Sequence, residues 1–213
     1  GGWALALDTT NPAVLDHVTA TMAALTAQGF DYHKVDFLYA AALRAPRACT
    51  RAEALRTGLE AVRAGIGDDA FLLGCGSPFG PAVGMVDAMR VSPDVTTAWA
   101  PRAPLPGLYE AASSAGNAIA TSRLRAPLHR RLWVNDNDCL LLRPMQTELD
   151  PEQRRLLAGS IAGGGAFTVA SDDLSLYGPE EWALLETVRR SPDRPVDLAD
   201  PFVSARLGTG ASS

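Results

Sequence analysis

The chain has 213 residues, enough for one domain with a sizeable core, and its 47% hydrophobic and 20% charged residues are ordinary for a globular protein. A net charge of −5 argues against a nucleic-acid partner, which would want a basic face, and against an electrostatic grip on anionic lipid. No apolar run reaches the ~18 residues of a membrane span, so neither nucleic acid nor membrane is an expected partner.

Taken in chain order, short apolar runs alternate with helical periodicity. Trp3–Leu7 reads as a first strand, ending at Asp8. Pro12–Gln28 carries a helical stripe (Val14, Leu15, Val18, Met22, Leu25) with Asn11 as N-cap and Gly29 as C-cap. Tyr32–Val35 is a strand ending at Asp36. Arg51–Ala64 is a helix capped by Thr50, with Leu55, Leu59 and Val62 inward. Phe71–Gly74 and Met85–Val91 are the next strands, ending at Cys75 and near Asp94. Gly107–Thr121 is a weaker, alanine-rich helix. Leu132–Val134 is a strand ending at Asn135-Asp136. Asp150-Pro151 opens a helix through Leu156, Leu157 and Ile161. Ala166–Ala170 is the last strand and Pro179–Arg190 the last helix.

Strand then helix, repeated, is the pattern of an α/β fold with a parallel sheet. Parallel strands are buried on both faces, which explains the continuous apolar runs. Six strands are counted, and acidic residues stand at most of their C-terminal ends, as at the active face of a parallel α/β enzyme. A closed barrel of this kind takes eight strands and about 250 residues, so two βα units are expected to be missing from the front. Residues 1–200 are therefore expected to be a partial barrel, and 201–213 a linker or tail, since the stretch from Arg194 is rich in Pro, Gly and Ser. Open first and last strands would favour self-association.

Cys49, Cys75 and Cys139 are odd in number and lack a C-x-x-C spacing, so reduced thiols are expected. His17, His33 and His129 show no ligand spacing, and neither a metal nor a cofactor is expected. The start, Gly1-Gly2-Trp3, has no basic segment followed by an apolar one, and a cytoplasmic location is the expectation.

Five strand ends could carry chemistry. Lys34 and Asp36 are two apart and share a face. A cation beside a carboxylate keeps it ionised, as a nucleophile requires; on spacing alone an ordinary structural ion pair is the favoured reading. Arg90 and Asp94 end another strand, with Pro93 fixing the chain before Asp94; a loop cap or surface ion pair is the alternative. Cys75-Gly76 follows the strand between them, where a glycine lets backbone approach a ligand or simply makes a turn. The clusters Asn135–Asp138 and Ser171–Asp173 do not have the spacing of a calcium loop, and structural roles are expected for both. Two carboxylates from different strands are what retaining glycoside hydrolysis needs: one ionised to attack, the other holding a proton for the leaving group.

The strings HKVDFLYA, LLGCGSPFGPAVGMVDAMRVSPDV, LWVNDNDCLLLRP and VASDDLSLY occur in this order. Together, over roughly residues 3–200, they resemble the catalytic barrel of the melibiase-type α-galactosidases, a clan of retaining glycosidases. The resemblance implies a TIM-type (β/α)8 barrel represented by about strands 3–8. It implies Asp36 as nucleophile, Asp94 as acid/base, and Lys34, Cys75, Gly76 and Arg90 as residues contacting the sugar. The implied partner is an α-galactoside or oligosaccharide. Related outcomes are transglycosylation and α-N-acetylgalactosaminidase activity. The reading from another class is an inactive barrel fragment that serves for binding or assembly.

Overall fold

A computed structural model describes residues 6–43, 45, 48–102, 107, 109–164 and 167–192. The tail from Arg194, read above as a linker, and most of the first expected strand (1–5) lie outside these residues. Ala6 and Leu7 are not in a strand, and Asp8 instead takes part in a turn, accepting the Thr10 N–H and hydroxyl. The chain divides into two compact units, the first through Met89 and the second from Arg90. Each is a partial α/β fold with parallel strands.

The first unit is built from α1 (Pro12–Ala27), β1 (Tyr32–Val35), α2 (Arg51–Ile66), β2 (Phe71–Gly74), the short α3 (Phe79–Ala82) and the start of β3 (Ala88–Arg90). Asn11 caps α1 by accepting the Ala13 N–H, and Gly29 leaves the helix at φ 97°, the left-handed conformation in which glycine carries no steric penalty. Phe30 then donates back to Leu25, closing a Schellman-type end. At α2, Thr50 accepts the Glu53 N–H at 3.1 Å while Glu53 accepts the Thr50 N–H at 2.7 Å, a full capping box.

β1 pairs with β2 in parallel, Tyr32 opposite Phe71 through Val35 opposite Gly74, and β2 pairs with β3 through Leu73–Ala88 and Gly74–Met89. The expected strand Met85–Val91 is shortened to Ala88–Arg90 because the chain before it is otherwise engaged. Met85 N–H closes a turn to Ala82, and the Asp87 carboxylate takes the Leu72 N–H at 2.7 Å and Arg63 at 2.8 Å. The core of the unit is Leu55, Leu59, Val62, Leu72, Leu73 and Met89.

In the second unit, α4 (Ala115–Arg125) begins well after the expected Gly107, because Gly107 is at φ 78° and the N-cap is Ser114, which accepts the Asn117 N–H. It runs to the residues just before Pro127. β4 is Val134–Asp136, two residues later than expected, since Arg130 at φ 58° turns the chain and donates to Trp133. β4 lies beside the end of β3, with Val91 donating to Asp136. Asp138, at φ 70°, breaks the run. The chain restarts as β5 (Cys139–Leu140), an element the sequence did not announce, and β5 pairs in parallel with β6 (Val169–Ala170). α5 (Pro151–Gly163) and α6 (Pro179–Arg189) complete the unit. Its core joins α4, α5 and α6 to Leu140–Leu142 through Ile119, Leu157, Ile161 and Val188.

α1 meets α2 where α2 has no side chain. A Cβ on Gly65 would stand 2.5 Å from Thr19 O and 2.7 Å from Met22 Cβ. Backbone cannot step aside as a flexible side chain can, so the helices must part. Gly65→Ala is expected to destabilise the chain by about 1–3 kcal/mol, even against the intrinsic helix gain of about 1 kcal/mol from alanine. Thermal unfolding checks this, with Gly159→Ala as control, because a Cβ there meets nothing within 4 Å.

Candidate functional site

In the first unit the site is made at the ends of β1 and β2. Along β1, Tyr32 and Lys34 are exposed while His33 is buried, where its Nε2 meets Thr26 Oγ1 at 3.2 Å. Asp36 has the same parity as Lys34 and is also exposed. Its Oδ1 accepts the N–H of Phe37 at 2.6 Å, and Phe37 itself sits at φ 56°, ψ 30°. A non-glycine residue in the left-handed region is uncommon and turns the chain sharply after the carboxylate. Among the described residues no ion pair joins Lys34 to Asp36; the Phe37 N–H is what holds the carboxylate.

The loop after β2 closes on this turn. Cys75 N–H extends the ladder to Val35 O at 2.8 Å, Leu38 donates to Cys75 O at 3.3 Å and Tyr39 to Gly76 O at 2.7 Å. Gly76 stands at φ 55°, and a Cβ there would meet Asp36 Oδ1 at 3.0 Å and Phe37 N at 3.2 Å. Glycine is therefore required twice, for its backbone conformation and for the close approach to Asp36. The structure brings Asp36, Cys75 and Gly76 together, with Cys75 buried. An apolar cavity of about 370 Å³ is bordered by Asp36 and Phe37 and walled by residues of α1 and α2, among them Met22, Leu55 and Leu59. Its walls suit packing rather than a polyhydroxylated ligand.

In the second unit the chemistry gathers on Arg90, whose side chain is 7% exposed. Its Nη1 donates to Asp94 Oδ1 at 3.0 Å, its Nε to Asp136 Oδ2 at 3.0 Å, and its Nη2 pairs with Asp138 Oδ1 at 2.6 Å. Asp94 is open to solvent, its side chain 73% exposed, whereas those of Asp136 and Asp138 are 4% and 12% exposed. Asp138 Oδ2 also accepts the Val95 N–H at 2.6 Å, and Asp136 Oδ1 accepts the Asp138 N–H at 2.8 Å. Burial pushes the Asp138 carboxyl above the usual range, and the charges of Asp136 and Asp94 add to this; the Val95 N–H and Arg90 oppose it.

The structural role expected of Asn135–Asp138 is to hold Arg90, a partner that the sequence did not reveal. What the sequence did carry is the alternation Asn135-Asp136-Asn137-Asp138. Asn135 Nδ2 donates to Arg125 O and Asn137 Nδ2 to Ser160 O, on the side of the helices. The alternate residues, Asp136 and Asp138, point the other way, to Arg90. Asp172 ties the segment after β6 to the one after β5, pairing with Arg143 at 3.4 Å. Fully buried, it accepts the N–H groups of Leu142 and Arg143 and the Tyr177 hydroxyl at 2.8 Å. Burial and that bond hold the Tyr177 hydroxyl protonated, well above its ordinary range.

No family model matches the chain. Solved structures do. An α-galactosidase from Thermus thermophilus in complex with stachyose is 31% identical, with a TM-score of 0.72 over 85% of this chain and 39% of that one. The same enzyme in complex with p-nitrophenyl α-D-galactopyranoside aligns at 27% identity and a TM-score of 0.73, covering 91% and 42%. α-Galactosidase I from Mortierella vinacea shares the fold at 17% identity and a TM-score of 0.58, over 80% and 47%. The chain thus has an α-galactosidase-type glycoside hydrolase fold, and it spans about two fifths of the length of the Thermus enzyme.

Arg90 and Asp136 make a buried charge pair, and breaking such a pair leaves one charge without compensation. Asp136→Ala is expected to cost about 3–5 kcal/mol, read as a lowered denaturation midpoint in urea. Asp94→Ala, removing an exposed carboxylate, should shift the same midpoint by less than about 1 kcal/mol.

Proposed function

We propose that this chain is the C-terminal part of the catalytic (β/α)8 barrel of a retaining α-galactosidase. Asp36 attacks the anomeric carbon of a terminal α-galactoside, and Asp94 protonates the departing oxygen. Water, activated by Asp94, then hydrolyses the glycosyl-enzyme, so configuration is retained. Lys34, Cys75, Gly76 and Arg90 contact the sugar. The observation that carries this reading is the 31% identity and TM-score of 0.72 to the Thermus α-galactosidase over 85% of the chain. That enzyme is solved with stachyose and with a nitrophenyl α-galactoside, which supports an α-galactoside or oligosaccharide as the substrate class here.

The test is turnover of p-nitrophenyl α-D-galactopyranoside by this chain and by a chain extended at its N-terminus. Turnover with release of α-galactose, followed by NMR, supports the reading; release of β-galactose or no turnover by either chain overturns it. The roles separate by leaving group. Nitrophenolate leaves without a proton, and an oligosaccharide oxygen does not. Asp94→Asn should lower kcat/KM for an oligosaccharide by about 10²–10⁴-fold and for the nitrophenyl substrate by clearly less. Asp36→Asn should abolish both.

A retaining mechanism leaves no room for water between nucleophile and sugar. A crystal structure of the active chain with bound sugar is expected to have the carboxyl groups of Asp36 and Asp94 about 5–5.5 Å apart. A separation of about 6.5–9.5 Å would mean inversion and end the assignment of Asp36 as nucleophile.

A further inference from the structure

We infer that Asp138 is a positioning residue for Asp94, holding it by two arms at once. The inference rests on the reading of Asp94 as the acid/base. One arm runs through the guanidinium: Asp138 Oδ1 pairs with Arg90 Nη2 at 2.6 Å, and Arg90 Nη1 donates to Asp94 Oδ1 at 3.0 Å. The other runs through the backbone: Asp138 Oδ2 accepts the N–H of Val95, the residue after Asp94, at 2.6 Å. One carboxylate thus fixes both the partner of the Asp94 side chain and the chain that carries it.

The geometry has reasons to be rigid. Val95 is 8% exposed, so its N–H would have little access to water if Asp138 were removed. Asp138 is itself held, since its own N–H donates to Asp136 Oδ1 at 2.8 Å and Asp136 Oδ2 takes Arg90 Nε at 3.0 Å. Asp94, by contrast, has a side chain 73% exposed and little packing to restrain it. A general acid must meet the leaving oxygen at hydrogen-bond distance, and a misplacement of about 1 Å costs up to about 10²-fold in rate. Asp138 need touch neither substrate nor reacting atoms to exert this control.

Two variants and two readouts test the inference. Hydrogen exchange of the Val95 amide, followed by NMR in the 213-residue chain, should accelerate about tenfold or more in Asp138→Ala while amides in α5 are unchanged. Asp138→Asn keeps the shape and an acceptor, and guards against an alanine variant that does not fold. It should accelerate the same amide several-fold, because an amide oxygen accepts less strongly than a carboxylate. In the chain that turns over galactosides, Asp138→Asn should reproduce the skew expected of Asp94→Asn: about tenfold more loss in kcat/KM on an oligosaccharide than on the nitrophenyl substrate. Equal losses on both substrates, which a merely structural role would give, overturn the inference, as does an unaltered Val95 exchange rate. Absence of turnover by both this chain and its N-terminally extended form would instead remove the glycosidase reading, and Val95 exchange alone would then decide whether Asp138 holds the Asp94 loop.

Discussion

A guanidinium that is 7% exposed carries a charge it cannot give up, so the second unit has to be built around its compensation. Arg90 receives three carboxylates, and they come from different places in the chain. Asp94 is four residues away, while Asp136 and Asp138 are 46 and 48 residues away, beyond α4. The end of β3 can only be satisfied once β4 lies beside it, and the backbone bond from Val91 to Asp136 is made in the same step. Side-chain charge and strand pairing therefore enforce each other. The left-handed turn at Asp138 follows from this demand, because the chain must leave β4 there to put a second carboxylate on the arginine.

The first unit solves a different problem, close approach. Its elements touch where side chains are absent: Gly65 under Thr19 and Met22, Gly58 under Thr9, and Gly76 against Asp36. A Cβ at Gly58 would stand 2.9 Å from Thr9 Cγ2, and the Thr9 hydroxyl donates to Ala54 O at 2.6 Å just beside it. These positions cost backbone entropy in the helix and are repaid in packing that no larger residue allows. They are distributed from the start of the described chain to the loop after β2, so the site at Asp36 and the helix packing behind it rest on the same device.

Much of this was legible in the residues, and the limits have physical causes. Asn11-Pro12, Thr50 with Glu53 and Asp150 with Gln153 are cap signals that act within one turn, and each starts a helix where the sequence says it should. Strand ends were less legible. Apolar runs such as Met85–Val91 cannot tell a strand from the turn that feeds it, and the decision fell to Asp87 and Arg63, which meet only in the fold. The break at Asp138 that separates β4 from β5 was hidden for the same reason, since its carboxylate pairs with Arg90, which meets it only in the fold. Asp36 and Asp94 could be put forward as candidates from spacing and resemblance. The groups that hold them could not, because Phe37 acts through a backbone conformation and Asp138 through a tertiary ring.

That last difference separates the two carboxylates physically. Asp36 is fixed by the N–H of the very next residue, in a turn whose following residues, Leu38 and Tyr39, donate to Cys75 and Gly76 of the loop after β2. Gly76 also has to stay out of the way of the carboxylate. Asp94 takes its side-chain bond from Arg90, four residues away, but the carboxylates that hold Arg90 and the Val95 N–H in place come from the end of β4 and beyond, and Asp94 remains the most exposed member of its cluster. A carboxylate held by a long-range ring is as well placed as the weakest bond in that ring. In the proposed double displacement the nucleophile must hit one carbon, whereas the acid/base must serve first a leaving oxygen and then a water. A carboxylate held at a closed turn and one held but solvent-facing suit the two roles proposed for Asp36 and Asp94.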